Sequence, residues 1–188
     1  MVLRSLYSVL RRVYNRFCDQ KRDRYIDDLV LKGLKLGKNV DIIDTFFFDP
    51  SHCFLISTGD NCTICPNVRL IAHDASTKKK LGYTKIGRID IGTDCFIGDS
   101  VMVLPNVTIG ANTVIGAGSV VTKDIPPGSV AAGNPARVLM TVDTYMRKIK
   151  NISDRKKIFS HDYNIEHLNN VKRHEIIDFI GDSIGFIE

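Results

Sequence analysis

Ile91-Gly-Thr-Asp-Cys-Phe, Ile97-Gly-Asp-Ser-Val-Met, Val103-Leu-Pro-Asn-Val-Thr, Ile109-Gly-Ala-Asn-Thr-Val, Ile115-Gly-Ala-Gly-Ser-Val and Val121-Thr-Lys-Asp-Ile-Pro126 are six successive lines of one pattern. Column one is β-branched aliphatic throughout, and column two is Gly in four of the six lines. Column four is Asp, Asn, Ser or Gly, and column five is small or aliphatic: Cys95, Val101, Val107, Thr113, Ser119 and Ile125. A six-residue period is a β-helix signature. A large and a smaller inward residue per line let each rung bury its core against the next. Column four needs backbone freedom, which Gly has and which Asn and Asp tolerate better than most residues.

Outward from this run the pattern persists, then fails twice. Leu36-Gly-Lys-Asn-Val40, Thr58-Gly-Asp-Asn-Cys62 and Ile64-Cys-Pro-Asn-Val68 match columns one to five, Thr58 standing in the large inward slot. Between them, Ile42 to Ser57 loses register: Phe46, Phe47 and Phe48 crowd together and Asp49-Pro-Ser-His52 follows. A slip in a stacked structure requires a bulge or a loop. The second failure is the line Leu70-Ile-Ala-His-Asp-Ala75. His73 falls in column four and Asp74 in an inward position, where a carboxylate would be buried without an evident partner, so the coil is expected to open there. Ser76 to Thr84 is polar, basic and without repeat, a loop expected over about residues 75–85 before the pattern resumes at Ile86. A flexible basic loop beside a fixed histidine suits a binding site. Spacing alone leaves two readings of His73, a catalytic group or a histidine kept for a left-handed backbone position.

The length of 188 residues fits one main domain. A net charge of +5 and a pI near 9.0 suit an acidic ligand such as a phosphorylated cofactor without establishing one. Nucleic acid is not expected as a partner, because no binding motif appears and aromatics do not interleave with the basic residues. No apolar run approaches the roughly 20 residues of a membrane span. Five cysteines, Cys18, Cys53, Cys62, Cys65 and Cys95, do not pair off as in a secreted framework, so a reducing cytoplasm is expected. Cys62 and Cys65 form a lone C-x-x-C, but Cys62 falls in the small inward column like Cys95 and reads as core; no metal site is expected.

Residues 1–34 read as a helical segment. Leu3, Leu6, Leu10, Val13, Tyr14 and Phe17 follow three-or-four spacing among Arg4, Arg11, Arg12 and Arg16, with a second helix near Asp23 to Leu31. Such a helix docks on a β-helix or covers its open end; its basic amphipathic surface is also of the kind that rests on anionic lipid, a peripheral membrane contact. Residues 35–140 form the β-helix, and residues 141–188 a helical extension with helices at Val142 to Lys150 and His167 to Phe179. His161, His167 and His174 in that tail read as solvated.

On the repeats, on Ile115 to Pro127 and on Ala131-Ala-Gly-Asn-Pro-Ala-Arg137, the chain resembles the hexapeptide-repeat acyltransferases over roughly Leu36 to Leu139. The resemblance is to the sugar O-acetyltransferases of the galactoside and maltose type and to the related antibiotic-modifying acetyltransferases. It implies an all-β fold, a left-handed parallel β-helix, although crossovers between parallel strands are normally right-handed. It implies acetyl-CoA as cosubstrate, a hydroxyl acceptor on a small molecule or glycan, and a homotrimer with the cofactor between subunits. His73, just before the protruding loop, matches the catalytic base of these enzymes. Asp99 aligns with a cofactor-contacting serine, so only its backbone contact carries over. Ala117 matches a backbone contact to the pantetheine arm, Thr122 and Lys123 a Thr-Lys pair, and Arg137 a basic residue near the nucleotide phosphates. A second arginine expected three places later is Met140 here.

For the acceptor, Asp49 and His52 lie about one coil before His73, where stacking would bring them close; Asp74 and Tyr83 are further candidates. A γ-class carbonic anhydrase needs three zinc-binding histidines, and the repeat region has only His52 and His73. A nucleotidyltransferase needs a second domain for which the chain has no room. A non-catalytic trimeric scaffold remains the rival of a different class.

Overall fold

The computed structural model describes residues 21–188, and they divide into two compact units, one ending at Val142 and the other spanning Asp143–Glu188. The expectations for the first basic helix and for Cys18 lie outside the described residues.

The first unit is a parallel β-helix. Its rungs are strands of two or three residues hydrogen-bonded into three parallel ladders. Phe96 pairs with Val114 and Met102 with Val120, so one coil takes three six-residue lines. Each ladder carries one interior stack. Ile42, Ile64, Ile97, Ile115 and Ala131 form the first, and Phe48, Leu70, Val103 and Val121 the second. Thr58, Ile91, Ile109 and Ile125 form the third. All of these are buried. A fully buried aliphatic side chain contributes about 1.5–3 kcal/mol, so column one supplies most of what holds the coils together. Thr58 fits the slot but leaves its hydroxyl unpartnered.

The other columns do what their residue types imply. Asn39, Asn61, Asn67, Asp94, Ser100, Asn106 and Asn112 all have positive φ, as does Gly118. Their side chains partly form an outer ladder, Asn39 donating to Asn61 at 3.1 Å and Asn61 to Asp94 at 3.2 Å. Column two is glycine because the next coil is too close: a Cβ on Gly110 would lie 2.3 Å from the Pro127 nitrogen. Cys62 and Cys95 are core, their thiols donating to the Gly92 and Gly110 carbonyls at 3.1 and 3.2 Å.

The helix over residues 21–31 places Leu29 in the same core, against the first coil. At the other end the parallel pattern stops in an antiparallel hairpin, Ser129–Gly133 with Ala136–Thr141. The second unit contains most of the helix Val142–Ser153, then the helix Asn170–Ile180 and a parallel pair, Ile158–Phe159 with Phe186–Ile187. Buried Phe159 is its centre, with the Tyr163 and Phe179 rings at 4.9 and 5.5 Å. The helices differ from expectation at their ends. Asn169 caps the second by accepting from the Lys172 amide, so it starts after His167.

Candidate functional site

Both register breaks leave the β-helix at one corner. Phe48 stacks beside Leu70, and the chain departs after each; Ile56 stacks beside Ile89, and the chain has returned by each. The first departure is short, through Asp49 to the helical turn Cys53–Leu55. The second is the long excursion from Ile71 to Arg88. Its base is an antiparallel pairing of His73–Asp74 with Lys85–Ile86, and its tip contains Ala75–Thr77 and the single helical turn Lys78–Leu81, ended by left-handed Gly82.

This stacking sets Asp49 behind His73. The Asp49 side chain has no solvent exposure, and its Oδ2 lies 2.5 Å from His73 Nδ1. Asp49 Oδ2 also accepts the Ala72 amide at 3.1 Å, and Oδ1 accepts the Ser51 amide at 3.2 Å. Three donors therefore hold a buried carboxylate whose remaining face is protein. His73 keeps 34 % of its side chain exposed, so its other ring edge reaches solvent. Its backbone is extended and has no positive φ, which removes the purely conformational reason for a histidine in column four. His52 stands beside it, ring centroids 5.0 Å apart, with Nδ1 buried, unpaired and 3.8 Å from Asp49 Oδ1.

Asp49 and Asp74, both candidates for acceptor binding, are engaged by other groups of the protein. Asp49 is wholly buried and bonded on both oxygens, so its place is as the partner that orients His73. The signal available in sequence was an acid one coil before the histidine, but its burial depends on the register of the break. Asp74 does not point into the core. The antiparallel pairing turns it to Lys85, 2.6 Å away, and to the Ser76 amide at 2.8 Å. The hydrogen bond from Lys85, then that from Ser76, holds its carboxyl well below the usual carboxylate range. Asp74 is thus a clasp for the excursion. Tyr83 is exposed, and its carbonyl accepts the Thr77 hydroxyl at 2.7 Å.

The expected cofactor residues all lie on the exterior. Asp99 and Ala117 occupy one corner on consecutive coils, with the Asp99 carbonyl accepting the Gly118 amide at 2.8 Å. Thr122 and Lys123 follow Val121 on the last coil, both exposed, and Arg137 is exposed on the closing hairpin. Among the described residues no carboxylate pairs with Lys123 or Arg137, which leaves both cations available to an anion. Burial pushes the Cys62 and Cys65 thiols up, away from the thiolate form that a metal needs. His161, His167 and His174 are exposed. The described residues that converge as metal-type ligands are Asp49, His52 and His73, with ligand atoms within 4.8 Å of one another.

Comparison with known proteins places this geometry in a family. The bacterial transferase hexapeptide model (six repeats) matches residues 88–123. The galactoside O-acetyltransferase of Escherichia coli is 42% identical over 120 residues, covering 60% of this chain and 53% of that protein. The chain thus spans about half the length of the curated relatives it matches. Among solved structures, a maltose O-acetyltransferase from Clostridium difficile is 33% identical, with a TM-score of 0.48 over 60% of this chain and 72% of that one. A hexapeptide-repeat acetyltransferase from Vibrio cholerae, complexed with acetyl coenzyme A, is 30% identical, with a TM-score of 0.44 over 56% of this chain and 64% of that one. With its repeat, its stacked coils and this shared sequence, the chain belongs to the hexapeptide-repeat acyltransferase family.

Proposed function

We propose that the chain is an acetyl-CoA-dependent O-acetyltransferase acting on a hydroxyl of a sugar or polysaccharide precursor, by direct transfer with His73 as general base. The observation that carries this reading is the buried carboxylate of Asp49 held against His73 Nδ1. A carboxylate at Nδ1 keeps the ring proton on that nitrogen, so the neutral imidazole presents Nε2 as an acceptor on its exposed side. The same carboxylate stabilises the imidazolium that forms when Nε2 takes the acceptor proton.

In the proposed step the acceptor oxygen attacks the thioester carbonyl as His73 removes its proton; the C–S bond then breaks, and the proton passes to the departing thiolate. Such a base contributes about 10²–10⁴-fold, and the rest must come from positioning and from oxyanion donors. Asp99, Ala117, Thr122, Lys123 and Arg137 would form one wall of the cofactor groove, the cations meeting phosphates. A neighbouring subunit of a homotrimer would supply the other wall, on coils of the left-handed sense that the family implies. The cytoplasm is the proposed compartment, with any membrane contact made by the basic N-terminal helix. Among the described residues no helix is long and apolar enough to cross a membrane.

The test follows CoA thiol release with a panel of nucleotide sugars, glycans and antibiotics. Turnover with a sugar hydroxyl that is lost in His73→Ala supports the reading; an antibiotic as the sole acceptor moves it to the xenobiotic class. Unchanged turnover in His73→Ala overturns the mechanism, and absence of acetyl-CoA binding leaves a scaffold.

A further inference from the structure

The geometry points to a second capacity of the same corner: Asp49, His52 and His73 form a binding site for a borderline transition-metal cation such as Zn²⁺, and its occupation excludes His73 from acting as a base. Two histidines direct Nδ1 at one carboxylate, His73 at 2.5 Å from Oδ2 and His52 at 3.8 Å from Oδ1, and all three ligand atoms lie within 4.8 Å of one another. Ligands on a tetrahedral zinc stand roughly 3.3 Å apart, given metal–ligand bonds of about 2.0–2.2 Å. The His52 distance is already near this. The His73 ring must withdraw from Asp49 by under about 1 Å to admit an ion, a side-chain adjustment.

A second observation concerns what the present arrangement leaves undone. His52 Nδ1 is buried and makes no hydrogen bond, although Asp49 is its neighbour. A buried polar nitrogen without a partner costs stability. A cation between His52, Asp49 and His73 would satisfy it. The side chains of His52 and His73 are 27% and 34% exposed, so the two rings that would hold the ion lie at the protein surface. Nitrogen and oxygen donors together select zinc-like ions over magnesium.

The chemical consequence follows from the ring. A neutral imidazole that binds metal through Nδ1 carries its proton on Nε2. Nε2 then donates and cannot accept, so the base is lost while the ion stays. This second half rests on the acetyl-transfer reading, whereas the binding half does not.

The experiment uses the full chain freed of metal with a chelator. Calorimetric titration with Zn²⁺ should give one ion per chain, with Mg²⁺ giving no heat. His52→Gln and Asp49→Asn should each weaken zinc by about tenfold or more. Co²⁺ in place of zinc should show tetrahedral d–d bands without thiolate charge transfer. Zinc affinity unchanged in both variants, or a cobalt–thiolate band, overturns the site; the cobalt spectrum decides even where a variant folds poorly. In the thiol-release assay, zinc at the concentration that fills the site should stop turnover and chelator should restore it. One bound zinc without effect on the rate overturns the exclusion. A chain that transfers no acetyl group on any acceptor counts against the proposed function, and the isotherm still reads the site.

Discussion

At the scale of single residues, the decisive pair is Asp49 and His73, and each makes a separate prediction. His73→Ala should lower turnover by about 10²–10⁴-fold with little change in acetyl-CoA affinity, because a base acts on the transition state. Thiol release under single-turnover conditions and equilibrium binding of acetyl-CoA separate the two effects. Asp49→Asn keeps the volume and removes the charge. It should lower kcat and leave KM nearly unchanged. The imidazole nitrogen spectrum should show a loss of the pure Nδ1–H tautomer, which a merely structural residue would leave alone. An unaltered tautomer with an unaltered rate would place Asp49 outside the mechanism. Lys85 and Asp74 carry a third expectation. Hydrogen bonds from Lys85 and Ser76 depress the Asp74 carboxyl, so the clasp is complete above the ordinary carboxylate value of 3.8 and is lost as pH falls below it. Amide protection factors over residues 74–85, taken against the intrinsic rate at each pH, should therefore fall in acid, and Lys85→Met should lower them in the same way at neutral pH.

At the scale of elements, the coils were legible and their meeting point was not. Column one announces the interior because only aliphatics fill a stack such as Ile64–Ile97–Ile115. Column four announces left-handed corners because Asn, Asp and Gly tolerate them. Asn112, at φ 52°, tests that account. Asn112→Val should cost roughly 1–2 kcal/mol and Asn112→Gly close to nothing, measured by urea unfolding. Equal costs would mean that the side chain, rather than the backbone, holds the corner. Sequence spacing also showed both breaks, and counting put Asp49 about one coil before His73. It did not show that both leave from the same corner, because that depends on Phe48 pairing with Leu70 across a stretch with no repeat. Asp49 was therefore read as an acceptor ligand, whereas its carboxylate is buried against His73 Nδ1. Asp74 shows the same dependence on pairing. Strict alternation points it inward, and only the antiparallel pairing with Lys85–Ile86 turns it to a lysine.

At the scale of the whole molecule, a stack of short rungs has little interior to spare, and two of its repeat lines carry an inward thiol. Cys62 and Cys95 lie in the small inward column, almost without solvent exposure. Burial pushes the Cys95 thiol from the ordinary 9.0 up to about 11, and Cys62 shifts in the same direction for the same reason. The folded state thus holds the proton more tightly than the unfolded chain does. The stability so contributed is complete below the unfolded value of 9.0 and is lost as pH rises toward 11. The urea midpoint should accordingly fall over that interval. Cys95→Ala should lower the midpoint at neutral pH, since it removes a packed atom, and should flatten the alkaline fall relative to the parent chain. Tyrosines that titrate nearby, such as Tyr25, affect both chains equally and cancel in the difference. The same burial predicts that iodoacetamide at pH 8 labels neither Cys62 nor Cys95 until the coils open. Rapid labelling of either in the native protein would show that the rungs separate far more readily than a closed stack allows, and would return the C-x-x-C to consideration as a reactive pair.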